Sequence, residues 1–319
     1  MQKSPTFHPY IGLGLGLLAV SSASIFIRYA QMDGAPSLVI AAYRLTLATL
    51  ILLPLALLHH WPELRRLGAR EWGLVAASGV FLGLHFGTWI SSLEFTSVAN
   101  SVVFVSTAPL FVALMAAMFL KEKLTLGLGA GLGLALVGSG LVGVADVCAA
   151  EGGCPPLSAF LQGSGFWGDM LALAGAVTVA AYILIGRRVR AGMSLIVYIL
   201  LTYGTAALTL IASVSLLRGS FSGFMPVEFS QSVLADGLGW GMCVVLLALV
   251  PQLIGHSSYN WALKYLPATF VSVTVLGEPL GSTLLAYWLL GETPTPLKLF
   301  GGLLILLGIA VASWRESKS

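Results

Sequence analysis

Apolar residues run almost unbroken through ten stretches of this chain, 11–30, 37–58, 72–93, 97–120, 126–145, 167–186, 193–217, 237–262, 268–290 and 299–314. A helix needs about 20 such residues to cross a bilayer. The runs are continuous rather than alternating polar with apolar, which excludes a transmembrane β-barrel. The gaps carry helix-breaking or polar residues. Asp33-Gly34-Ala35-Pro36 follows the first run, a basic segment with Pro62 spans His59–Arg70, and two longer loops span Asp146–Gly165 and Arg218–Asp236. The pattern predicts an all-α polytopic membrane protein with ten transmembrane helices. Lys3, the first run and the small residues Ala19–Ser24 also resemble a cleavable leader. The run continues past Arg28 straight into a second span, so it is read as an uncleaved first helix.

Composition points the same way. Of 319 residues, 57% are hydrophobic and 9% charged, against about 25% charged in an ordinary soluble domain. So large an apolar surplus cannot all be interior, and on a soluble surface it would aggregate. Soluble enzyme, nucleic-acid binder and disordered chain are excluded. The net charge of +3 says little about partners, because the basic residues have a topological explanation. With a cytoplasmic N-terminus, the inner segments hold Lys3, Arg65, Arg66, Arg70, Lys121, Lys123, Arg187, Arg188, Arg190, Lys264, Arg315 and Lys318, and the outer loops only Arg218 and Lys298. Basic residues favour the cytoplasmic side. This places both termini inside an inner (plasma) membrane and suits an even number of spans. Cys148 and Cys154 then flank an outward loop, where either a disulfide or two free thiols is open. Cys243 lies in an apolar run.

The chain repeats itself. A shift of 170 residues aligns Leu93 with Leu263, Pro109-Leu110 with Pro279-Leu280, Leu120 with Leu290, Glu122 with Glu292, Gly131 with Gly301 and Gly138 with Gly308. Phe95 falls on Tyr265, and a shift of 157 aligns Ser37-Leu38 with Ser194-Leu195. Leucine matches are cheap in this composition, whereas the Pro, Glu and Gly matches at one constant offset are not. The expected organisation is a first five-helix repeat over 1–145, an extracytoplasmic loop over 146–166 and a second repeat over 167–319. Five is odd, so the second half enters the membrane with opposite sense. Inverted-topology repeats mark secondary transporters.

Ten spans as five plus five, Tyr43-Arg44-Leu45 on the second span, the midspan prolines and Gly291-Glu292 after the ninth together resemble the drug/metabolite transporter superfamily. Within it, the EamA-type family is nearest, and the resemblance covers nearly the whole chain. It implies an exporter of small metabolites, often amino acids, with a central cavity between the halves. Two departures are visible. The first half has Lys121-Glu122-Lys123 where Gly-Glu is common, and the 146–166 loop exceeds the minimal pattern.

Several residues could carry transport. Pro109 and Pro279 each remove a helix hydrogen bond near midspan. They could hinge a moving element or free carbonyls toward a cavity, or be static packing kinks. Glu278 precedes Pro279, and a carboxyl at that depth is costly. It could exchange a proton, bind a substrate ammonium or bond to the kinked backbone. Arg28 and Arg44 cannot face lipid comfortably. Either could attract an anionic group of a substrate, or could pair structurally with Glu94, Asp33 or backbone carbonyls or snorkel to the interface, the structural role being the reading for Arg28 and both being open for Arg44. His85, Trp89 and Ser92 share one face of the third span, and Gln252, His256 and Tyr259 one face of the eighth. Trp89 and Tyr259 match at the repeat offset. These faces fit a cavity for an amphipathic solute, with ordinary helix contacts as the alternative. Tyr43, beside Arg44, joins the candidate cavity. Asn100, Asn260 and Trp261 fall near span ends, where capping or anchoring suffices. The glycines of the fifth and tenth spans give faces for close packing, which in the resembling family are structural or at a subunit contact.

The expected function is a secondary transporter exporting small organic metabolites, amino acids with aromatic or large apolar side chains among them, as a monomer or homodimer in the lipid bilayer. No cofactor or metal is expected, and proton coupling is open. A sugar-phosphate, nucleotide-sugar or cationic-drug carrier of the same superfamily is the alternative. An intramembrane enzyme ranks lower: there is no His-Glu-x-x-His, and Asp169 and Glu278 stand apart.

Overall fold

A computed structural model describes residues 8–95, 101, 104–121, 125–150, 154, 165–218, 228, 229, 231, 233, 239–290 and 293–316. Regular structure among them is entirely helical: α1 (Pro9–Met32), α2 (Ser37–His59), α3 (Ala69–Ser92), α4 (Ala108–Leu120), α5 (Leu126–Ala150), α6 (Gly165–Arg190), α7 (Leu195–Arg218), α8 (Trp240–Ala262), α9 in two pieces (Ala268–Val275 and Glu278–Leu290) and α10 (Pro296–Glu316). Seven helices, α1, α2, α3 and α6 to α9, are long and apolar enough to cross a membrane. The apolar stretches of α4, α5 and α10 are shorter, at 10–17 residues. Leucines such as Leu50, Leu58, Leu303 and Leu306 stand exposed on the outside of the bundle, where lipid is the solvent that accepts them.

Helix ends follow local chemistry. Gly34 takes a left-handed φ of 86° in the turn after α1, a conformation glycine adopts without strain. Pro36 then precedes α2, whose first N–H, on Ser37, donates to Glu94 Oε1 at 3.3 Å. Ser194, aligned with Ser37 by the 157 offset, donates its N–H to Glu63 Oε1 at 2.7 Å just before α7. In each half a glutamate from elsewhere in the chain thus satisfies a backbone donor at a helix start. The basic 59–70 segment is not all loop: Trp61–Arg66 forms a short helix. α5 runs to Ala150, beyond the expected edge at 145, and a disulfide joins Cys148 in it to Cys154. Most of the 146–166 loop beyond Ala150 lies outside the described residues, as do Glu122, Lys123, Gly291, Glu292 and Asn100.

Helix contacts form a regular scheme. α3 packs on α6 as α8 packs on α1; α3 on α7 as α8 on α2; α4 on α6 as α9 on α1. α2 pairs with α7, α4 with α9 and α5 with α10. Each of these contacts either exchanges with another of them, or maps onto itself, when every helix is replaced by its counterpart five places along. The α5–α10 seam shows this at atomic detail. A Cβ on Gly131 would lie 2.5 Å from the Gly308 carbonyl oxygen, and one on Gly138 would lie 2.5 Å from that of Gly301. Gly301 and Gly308 are the repeat counterparts of Gly131 and Gly138, so the two contacts are one contact made twice. Position rises from 131 to 138 as its partner falls from 308 to 301, so the helices run antiparallel. Backbones this close require residues without side chains.

Candidate functional site

The prolines of α4 and α9 mark breaks rather than bends. In α9 one helical piece ends at Val275, Leu276-Gly277 forms a turn, and a new piece opens at Glu278. In the first half Ser106-Thr107 is the turn and α4 opens at Ala108. The hydrogen bonds match across the repeat. Thr107 N–H donates to Phe104 O at 3.1 Å and Gly277 N–H to Thr274 O at 3.0 Å. Leu110 N–H donates to Thr107 O at 2.9 Å and Leu280 N–H to Gly277 O at 3.0 Å. Pro109 and Pro279 each take the second position of a new helical piece, where a missing N–H costs nothing; the side chain of Pro279 lies outside the described part. Glu278 opens its piece of α9, and its backbone carbonyl accepts from Ser21 Oγ of α1 at 3.3 Å.

A buried cluster forms on α2, α3 and α8. Phe86 and His256, which are repeat counterparts, meet edge to face with ring centroids 5.3 Å apart. A residue that touches its own counterpart sits on the axis relating the two halves. The Arg44 guanidinium carbon lies 4.4 Å above the Phe86 ring centroid, a cation–π arrangement. Arg44 is 1% exposed and Gln252 fully buried. Arg44 Nε donates to Gln252 Oε1 at 2.9 Å, yet Arg44 Nη1 and Nη2 and Gln252 Nε2 have no hydrogen-bond partner among the described residues. Glu278 is near enough to interact electrostatically with Arg44 and with Tyr259. The π-helical turn Ala248–His256, interrupted by Pro251, carries Gln252 and His256. Such turns re-aim side chains and recur at functional sites.

The aromatic face of α3 extends the cluster. His85 Nδ1–H donates to the Gly175 carbonyl at 3.0 Å, and its ring stacks on Trp89 with centroids 5.9 Å apart. On α8, Tyr259 stands edge-on to His256 at 6.2 Å. The Trp89 indole N–H and the Tyr259 hydroxyl are buried without a hydrogen-bond partner among the described residues. Ser92, expected on this face, is turned to Ser101 Oγ at 2.6 Å.

Six of the eight expected cavity residues therefore converge around the axis: Arg44, His85, Trp89, Gln252, His256 and Tyr259, with Glu278 alongside. Tyr43 does not join them. Consecutive helical residues point about 100° apart, and Tyr43 stacks on Phe229 at 4.9 Å and meets Trp240 edge-on at 5.7 Å. Arg28 is exposed, while Asp33 and Glu94 accept from the backbone N–H groups of Trp240 and Ser37. Asn260 corrects an expectation. It is fully buried rather than a span-end cap, and its side chain exchanges hydrogen bonds with Tyr182 Oη at 2.6 and 2.8 Å. Tyr203, 3.2 Å from Ser257 Oγ and 3.4 Å from the Gln252 carbonyl, links this pair toward Arg44. Phe86, Tyr182 and Tyr203 were missed because aromatic residues in apolar spans read as ordinary packing. The repeat offset alone could have flagged Phe86 opposite His256.

The sequence profile of the EamA-like transporter family matches residues 9–144 and again 166–314. A transporter of Bacillus subtilis (strain 168), YyaM, named as uncharacterized, is 27% identical over 226 residues, 69% of this chain and 66% of that protein. A second uncharacterized transporter, from Archaeoglobus fulgidus, is 33% identical over 79 residues, 25% of this chain and 29% of that protein. These alignments span less than two thirds of either relative's length. A solved crystal structure shares the fold, with a TM-score of 0.72 at 22% identity over 98% of this chain and 99% of its own. With the family profile met once in each half and nearly end to end, this multi-pass membrane protein belongs to the EamA-like transporter family of the drug/metabolite transporter superfamily.

Proposed function

We propose that the chain is a secondary transporter that exports amino acids with aromatic or large apolar side chains, by alternating access around the Phe86–His256 axis. The observation that carries this is the contrast along that axis. Aromatic rings of α3 and α8 surround buried donors that the protein leaves unpaired. Rings accept an apolar side chain, and unpaired donors in a membrane interior call for a polar group brought in by a solute. Helix breaks at matching places just before α4 and within α9 are also a feature of transporters built from inverted repeats. Two halves of opposite sense can exchange conformations, and the cluster then faces each side in turn.

In this reading the ten apolar helices all cross the inner (plasma) membrane, as two inverted repeats over 1–145 and 167–319 joined by the outer loop, with both termini cytoplasmic. Glu278 is the acidic pole of the site and its candidate for proton exchange; no cofactor or metal takes part, and no catalytic step is assigned. The test is counterflow in proteoliposomes. Vesicles loaded with an unlabelled amino acid should take up the same labelled species saturably, most strongly for phenylalanine, tryptophan and leucine, relative to protein-free vesicles. Folded protein that exchanges none of a full amino-acid panel would overturn the reading.

A further inference from the structure

The guanidinium of Arg44 has two hydrogen-bonding edges. Gln252 Oε1 occupies Nε on one, and Phe86 covers one face of the plane. The terminal edge, Nη1 and Nη2, is buried and has no hydrogen-bond partner among the described residues, and neither has the Gln252 amide nitrogen, on the same carbon as the oxygen bonded to Arg44. Donors so held fit a bidentate oxyanion, such as a carboxylate whose two oxygens each accept from one terminal nitrogen, with the amide to the side. We infer that the Nη1–Nη2 edge of Arg44, with Gln252 Nε2 beside it, is a carboxylate subsite, and that a free carboxylate is the group by which this protein recognises its solute. The inference rests on the transporter reading above and narrows it.

The structure argues for this against a phosphate-bearing or a cationic solute. Among the described residues of the cluster Arg44 is the one guanidinium or ammonium group, the other basic groups being the imidazoles of His85 and His256, and a phosphoryl group of two negative charges would be only half neutralised by it. A cation would meet an unpaired guanidinium in a low-dielectric interior. A carboxylate neutralises Arg44 one for one. In an α-amino acid the ammonium then has Glu278 as its counter-charge, within electrostatic reach of Arg44.

The test is competition in the counterflow assay with labelled phenylalanine. Unlabelled phenylalanine should compete, whereas its methyl ester, its amide and phenethylamine, which keep the ring and amine, should compete about tenfold to a hundredfold more weakly. Phenylpropanoate, which keeps ring and carboxylate, should compete better than phenethylamine. Equal competition by ester and acid overturns the subsite while the exchange itself leaves the transporter reading standing. Two variants separate binding from folding. Arg44→Lys keeps the charge without the fork and should lose exchange. Gln252→Glu places a carboxylate of the protein's own beside Arg44, and it should fold with a melting temperature at least that of the parent yet lose saturable exchange. A Gln252→Glu protein that exchanges like the parent would show that the Arg44 edge takes no part in recognition.

Discussion

The α5–α10 seam and the Phe86–His256 axis are both places where a residue or residue pair meets its own repeat counterpart, and they could hardly differ more. At the seam both halves contribute the same residue type. Glycine faces glycine twice, and the backbones come close enough that a Cβ on Gly131 or Gly138 would lie 2.5 Å from the facing carbonyl oxygen. At the axis the counterparts have diverged, phenylalanine against histidine, and around them lie Arg44, Gln252 and Glu278, none of which has a like residue in the other half. Symmetry is kept where the repeat has only to hold itself together, and it is lost at the proposed recognition site. A solute such as an amino acid has no twofold symmetry of its own. A site on the axis can bind it in one pose only if the two halves offer different groups.

This comparison can be broken, beginning with the largest effect. Gly138→Leu should prevent the seam from closing, because its Cβ would lie 2.5 Å from the Gly301 carbonyl oxygen. A cost of about 3 kcal/mol or more is expected, seen as loss of monodisperse protein on size exclusion. Glu278→Gln should leave that elution profile intact while lowering exchange by about tenfold and flattening its dependence on pH. Unchanged exchange would confine Glu278 to opening its helical piece. Glu63→Ala removes the acceptor for the Ser194 N–H and the His60 contact at 3.4 Å, and should lower thermal stability by about 1 kcal/mol with little effect on substrate preference. His256→Phe makes the axis symmetric. It should change stability by less than about 1.5 kcal/mol and shift the order of preferred amino acids; an unaltered order would remove the axis from the site.

Much of the fold is legible in the sequence for simple physical reasons. Lipid demands long apolar helices, and repetition survives wherever packing tolerates only one residue, so Gly131, Gly138, Gly301 and Gly308 stand out at one offset and meet in space. The prolines likewise locate both helix breaks, although reading them as bends missed that each sits in the first turn of a new piece. The site is less legible. Spacing put His85 with Trp89 and Gln252 with His256 because helical periodicity fixes faces. It could not say that Arg44 would reach Gln252, because that depends on how α2 and α8 cross. Tyr43 shows the cost of reasoning by adjacency, since a neighbour of Arg44 in sequence points elsewhere on the helix. Asn260 shows the cost of reasoning by depth alone, since its burial comes from Tyr182 on a distant segment.

The most direct test of the central claim is photolabelling with p-azidophenylalanine in proteoliposomes, followed by mass-spectrometric mapping of the adducts. The account predicts adducts on α3 and α8, at residues around Phe86, Trp89, His256 and Tyr259, that disappear when excess phenylalanine is present. Adducts that phenylalanine displaces from α5 and α10, with none at the axis, would contradict it.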